Sequence, residues 1–154
     1  MSIPRTVSLK ESPLRYFYLE PEVAGGFGEG SVLDTSVHPP RVERLHYEFD
    51  GWLGDDLLTS FPCYIVTDRL KNELQRSELT GYELDRVKVT KSEFFGDMHP
   101  DAPPLPRFHW LKITGRAGID DFGMAKDHRL VVSERALRVL RYGQLSDCEI
   151  VEFP

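Results

Sequence analysis

Phe61-Pro62-Cys63-Tyr64-Ile65-Val66-Thr67-Asp68-Arg69-Leu70, running on through Leu74 to Leu79-Thr80-Gly81-Tyr82-Glu83-Leu84, is the stretch that decides the fold class. Cys63 to Val66 is a short apolar run of strand type. Thr67 stands where a helix N-cap belongs, and Asp68 puts a negative charge in the first turn, where it suits the helix dipole. Leu70 and Leu74 lie four apart on one helical face. Thr80-Gly81 turns the chain, and Tyr82-Glu83-Leu84 with Val87-Lys88-Val89 reads as a returning strand.

The same order recurs near the C-terminus. Leu130-Val131-Val132 is a strand, Ser133 a cap and Glu134 the first-turn acid. Ala136, Leu137 and Leu140 form the helix face, Gly143 stands where a C′ glycine would end the helix, and Cys148-Glu149-Ile150-Val151 returns as a strand. Residues 63–84 align without a gap on residues 129–150. Val66/Val132, Arg69/Arg135, Leu74/Leu140, Leu79/Leu145 and Glu83/Glu149 are identical; Thr67/Ser133 and Asp68/Glu134 agree in type. Duplication and convergence on one capped unit both account for this match. Either way the expected architecture is α+β: a single domain over residues 1–154, with a mixed sheet and two short helices from a twice-used strand–helix–strand unit, at about 61–90 and 129–153.

Outward from these units the chain is less regular. Residues 1–14 read as a loose arm within an irregular N-terminal part spanning 1–44. Tyr16-Phe17-Tyr18-Leu19 suits a short strand and Leu45 to Asp50 alternates as a half-buried one. Between the units, Pro100, Pro103, Pro104 and Pro106 make an extended loop, and Phe108 to Ile113 reads as a strand. Because the repeated units read as scaffold, function is expected in the irregular stretches 21–41, 51–60 and 96–127.

Composition narrows the function classes. The chain has 154 residues, enough for one well-buried domain. The net charge of −6 argues against a general nucleic-acid or anionic-membrane binder, which needs basic patches, and suits a basic protein partner. The two cysteines, Cys63 and Cys148, offer no disulfide framework. Met1-Ser2-Ile3-Pro4-Arg5 opens no apolar signal region, and no apolar run reaches membrane-spanning length, so a cytoplasmic location is expected.

Candidate chemistry is sparse. Asp97, His99, Asp101 and His109 are ligand types without a recognised metal spacing, so no metal or other cofactor is expected. The glycines between Gly25 and Gly30 lack the helix that a phosphate loop opens into. Thr67 and Ser133 are better used as caps than as nucleophiles, and Arg69 and Arg135 are better read as stems covering an apolar edge or heads pairing with a nearby acid than as anion binders. The chain is therefore not expected to be an enzyme. Aromatics and acids recur together in the loops: Trp52 with Asp55 and Asp56, then Asp97, Asp101, Trp110, Asp120 and Asp121. Aromatic anchors inside an acidic rim would suit the gripping of a basic protein, which makes these eight residues the candidate partner-binding set.

The segments 61–70, 79–84 and 130–137 resemble immunity proteins of bacterial polymorphic toxin systems, the group that includes the double-CxxCG immunity proteins of myxobacteria; the resemblance covers about residues 45–153. This sequence has no CxxC pair, so the resemblance carries no zinc expectation. It implies a protein that binds and neutralises a cognate toxin by occluding its active site or substrate cleft, with no catalytic residues of its own. The competing readings are a small hydrolase or transferase working through the acidic loops, and a structural homodimeric subunit.

Overall fold

The computed structural model describes residues 14–154, so the arm expected at 1–14 lies, apart from Leu14, outside the described residues. The strands are β1 (Tyr16–Glu20), β2 (Gly25–Phe27), β3 (Val32–Asp34), β4 (Arg41–Phe49), β5 (Leu57–Ser60), β6 (Cys63–Thr67), β7 (Tyr82–Asp85), β8 (Val87–Lys91), β9 (Phe108–Ile113), β10 (Phe122–Met124), β11 (Leu130–Ser133) and β12 (Glu149–Phe153). The helices are α1 (Asp68–Arg76), α2 (Glu93–Met98) and α3 (Glu134–Leu140). The class is α+β, but the expected single mixed sheet with two helices is corrected to three sheets, one of them mixed, and three short helices among the described residues.

Two of the sheets are wholly antiparallel and share one plan. One runs β5-β6-β9-β7 and the other β10-β11-β1-β12. In each, a hairpin leads into a strand, a helix follows, and the returning strand lies parallel to the first with one antiparallel strand between them. The strand between comes from later in the chain in one sheet (β9) and from its beginning in the other (β1). Interposing it lets a short helical connection join two parallel strands that do not touch.

The caps act as the sequence indicates. Thr67 Oγ1 accepts the Leu70 N–H and Ser133 Oγ accepts the Ala136 N–H. Each satisfies one of the helix's orphan donors. Leu70 and Leu74 of α1 and Ala136, Leu137 and Leu140 of α3 enter one core with Leu57, Val66, Leu111, Leu130 and Val132, the inward residues of both antiparallel sheets.

The third sheet is built on β4, which pairs antiparallel with β2 and β3 and parallel with β8. It covers the other face of the β5-β6-β9-β7 sheet, where Leu58, Ile65, Phe108 and Trp110 pack against Leu45, Tyr47 and Phe49. Every residue of β6 is therefore buried. Covering on both faces is the physical reason for its uninterrupted apolar run.

Three departures from the sequence reading have local causes. Residues 82–89 are not one strand: the chain breaks at Arg86 and passes from β7 in one sheet to β8 in another. The irregular stretch 21–41 contains β2 and β3, short strands that pair with opposite ends of β4. The third helix, α2, is capped by Ser92, whose Oγ accepts the Phe95 N–H. Ser92-Glu93 repeats the cap-plus-acid pattern of Thr67-Asp68 and Ser133-Glu134, and this helix is not among the two expected from the repeated unit.

Candidate functional site

The acids expected to rim a binding face divide into two groups. Asp55, Asp56 and Asp121 are buried, as is Trp110, so the expected rim is corrected at these four positions. Each buried aspartate is consumed by the fold. Asp56 Oδ1 accepts from the Thr67 hydroxyl and from Arg69 Nε at 2.7 Å, while Oδ2 accepts from Arg69 Nη2 at 2.7 Å and the Gln144 N–H at 2.6 Å. Asp121 repeats the arrangement. Its oxygens accept from Ser133 Oγ at 2.7 Å, Arg135 Nη2 at 2.7 Å and the Thr80 N–H at 2.9 Å.

Each carboxylate thus holds the cap and the arginine of its own unit and the post-helix turn of the other. Those turns come very close. A β-carbon at Gly143 would strike Asp56, and Gly81, at φ +91°, lies against Asp120 and the Phe122 backbone. Burial alone would raise the pKa of both acids. The arginine, the hydroxyl and the backbone N–H outweigh it, holding Asp56 below the usual carboxylate range and Asp121 at about 2. Both acids are ionised and fully engaged at neutral pH, an arrangement suited to structure and poorly suited to proton transfer.

Asp55 is held by the chain following α3, accepting the Ser146 N–H at 3.0 Å and the Asp147 N–H at 2.8 Å. Asp120 is half-buried and accepts the Arg116 N–H at 2.7 Å. Trp110 is core, with Lys112 Nζ 4.6 Å from its ring centroid. Among the potential nucleophiles, burial pushes the Cys63 and Cys148 thiols up to about 12, which keeps them protonated.

The remaining three expected residues share one region. Trp52 is half-buried, its Nε1–H donating to the Asp55 carbonyl at 2.9 Å. It lines a surface groove of ≈ 280 Å³ together with Glu22, Val23, Asp50, Leu53 and His99. His99 caps the C-terminus of α2, placing that helix beside the groove, with Asp97 and Asp101 exposed on either side of the cap. The Ser92 hydroxyl donates to Asp50 at 2.6 Å and ties the start of α2 to the same turn.

Large apolar side chains are left in water both at the groove and on α2. Val23 is 67% and Leu53 68% exposed at the groove, and Phe94 and Met98, four apart on one flank of α2, are 58% and 59% exposed. Buried Phe95 anchors the other flank of the helix. Glu22, Val23, Asp50, Leu53, Phe94 and Met98 were not singled out in the sequence; only the α2 cap signal could have pointed to the last two.

Glu22, Asp55 and Asp147 bring carboxylate oxygens within 4.8 Å of one another beside this groove, the one such group among the described residues that could hold a cation. Burial raises the Glu22 pKa, and the negative charges of Asp55 and Asp147 raise it further. Comparison with known proteins finds no family model that matches the chain and no curated protein that matches it.

Proposed function

We propose that this chain is an immunity protein that binds and neutralises a cognate bacterial toxin by covering its active site or substrate cleft. The observation that carries the reading is the groove face itself. Val23, Trp52 and Leu53 at the groove, and exposed Phe94 and Met98 on α2, offer apolar and aromatic contact area; Glu22 and Asp50 line the groove, and Glu93, Asp97 and Asp101 are exposed acids on α2 and just after it. Apolar anchors within a polar rim are the anatomy of a protein-binding surface. The acidic rim and the net charge of −6 favour a basic partner, such as a toxin with a groove for an anionic substrate.

The resemblance of residues 61–70, 79–84 and 130–137 to toxin-immunity proteins points the same way and implies a cytoplasmic site of action. Among the described residues no helix is long and apolar enough to cross a membrane. The enzyme reading has less support, since Asp55, Asp56 and Asp121 are committed to internal hydrogen bonds. We further infer that the two antiparallel sheets descend from one duplicated unit within a single domain; the identical strand order, with β9 and β1 filling the same place, favours duplication over convergence.

The test is growth rescue. The chain is co-expressed with the secreted-effector product of the adjacent gene, alongside a variant carrying Leu53→Arg and Asp97→Lys. Rescue by the parent chain and loss of rescue by a folded variant are expected. Failure of the parent chain to protect, or undiminished protection by the variant, would contradict the proposal.

A further inference from the structure

The glycines between Gly25 and Gly30 play no part in the docking face beyond Gly25, yet they meet a buried titratable group. His46, on β4, is 5% exposed. Its Nδ1 accepts the Gly30 N–H at 2.9 Å, and its Nε2 lies 2.7 Å from Thr90 Oγ1 on β8. An N–H can only donate, so Nδ1 must be unprotonated and the ring must carry its proton on Nε2, donating to Thr90. The imidazole is thereby fixed in one neutral tautomer.

The segment Gly28–Ser31 is strapped to this residue. The Gly28 N–H and the Ser31 hydroxyl donate to the His46 carbonyl at 2.8 and 3.0 Å, and the His46 N–H is 2.9 Å from Ser31 Oγ. A β-carbon at Gly28 would fall on the imidazole, so the chain lies flat against the ring only because that position has no side chain.

We propose that His46 is a proton-operated latch: protonation of Nδ1 releases the Gly28–Ser31 strap from β4. A proton from solvent adds to the Nδ1 lone pair, the hydrogen bond from Gly30 is lost, and the imidazolium then faces an N–H donor in a buried site. The repulsion and the unmatched charge both favour opening. Lys88 is the register partner of His46 on β8, Arg44 and Glu48 stand two residues away along β4, and Glu29 lies in the strap. None of them hydrogen-bonds to the ring.

Long-range ¹⁵N–¹H NMR of the ring reports the tautomer, and hydrogen exchange of the Gly30 amide, corrected for its intrinsic pH dependence, reports the latch. The expected result is the Nε2–H tautomer at about pH 8, with Gly30 protection falling roughly tenfold by about pH 5 while the amides of β6 stay protected. In His46→Gln the side chain keeps an acceptor and a donor that do not titrate, so Gly30 protection should no longer change with pH. An Nδ1–H tautomer at about pH 8, or an equal loss of protection in both proteins, would overturn the proposal. Should the variant not fold, the wild-type chain still decides: Gly30 protection that stays constant from about pH 8 to about pH 5 would overturn it.

Discussion

Replacing Asp121 with asparagine removes the charge that joins the two halves of the scaffold. In the folded chain its pKa is about 2, against 3.8 for a free aspartate. That difference corresponds to about 2.5 kcal/mol of stabilisation. The Arg135 side chain is 57% exposed, so water screens the pair, and a figure of about 1–2 kcal/mol is the better expectation. The asparagine also turns an N–H₂ toward donors that the carboxylate accepted, which brings the total to about 2 kcal/mol. For a domain of this size, that should lower the urea midpoint by roughly 1 M at pH 7.

The pH dependence separates charge from shape. The folded-state pKa lies below the unfolded one, so the stabilisation is complete above about pH 5 and fades as pH falls through 4 toward 2. Urea unfolding of the parent chain and Asp121→Asn should show a gap at pH 7 that shrinks to about half by pH 3. A gap below about 0.5 kcal/mol at pH 7, or one of the same size at both pH values, would refute the assignment of Asp121 as an ionised clasp.

Other consequences concern the repeated plan. Thr67→Ala and Ser133→Ala each remove a cap and a donor to the buried aspartate, so each should cost about 1–2 kcal/mol in the same unfolding assay. Leu74→Ala and Leu140→Ala empty equivalent places in one core, both sites being fully buried; each should cost about 2–5 kcal/mol, and the two losses should be similar. Leu53→Arg, by contrast, alters a side chain that is 68% exposed and should shift the thermal midpoint by no more than a degree or two, about 0.5 kcal/mol.

The scaffold was legible in the sequence because its signals are local. Thr67, Ser133 and the leucines behind them announce a capped helix after a strand, and the structure places them so. Strand order was not legible, because the strand between the parallel pair comes from β9 in one sheet and β1 in the other, and such pairing leaves no local mark. The short β2, β3 and β10, each of three residues, fall below any periodicity signal.

The candidate site was less legible because charge type does not reveal exposure. Asp55-Asp56 and Asp120-Asp121 look alike as pairs of acids. Asp56 and Asp121 are drawn inside by arginines thirteen and fourteen residues further on. Among the described residues no arginine forms an ion pair with Glu22, Asp50, Glu93, Asp97 or Asp101. Even so, Trp52, Asp97 and Asp101 fell in one region, since α2 and the turn at 50–53 meet through His99 and Ser92.

Titration calorimetry of the chain with a catalytically inactivated toxin from the adjacent gene tests whether the chain is an immunity protein. The expected result is a stoichiometric complex with a Kd of roughly nanomolar order that weakens as salt rises. Leu53→Arg with Asp97→Lys should weaken it by at least about thirtyfold, the effect of losing one hot-spot contact. No heat of binding with the parent chain, or full affinity in the double variant, would contradict it.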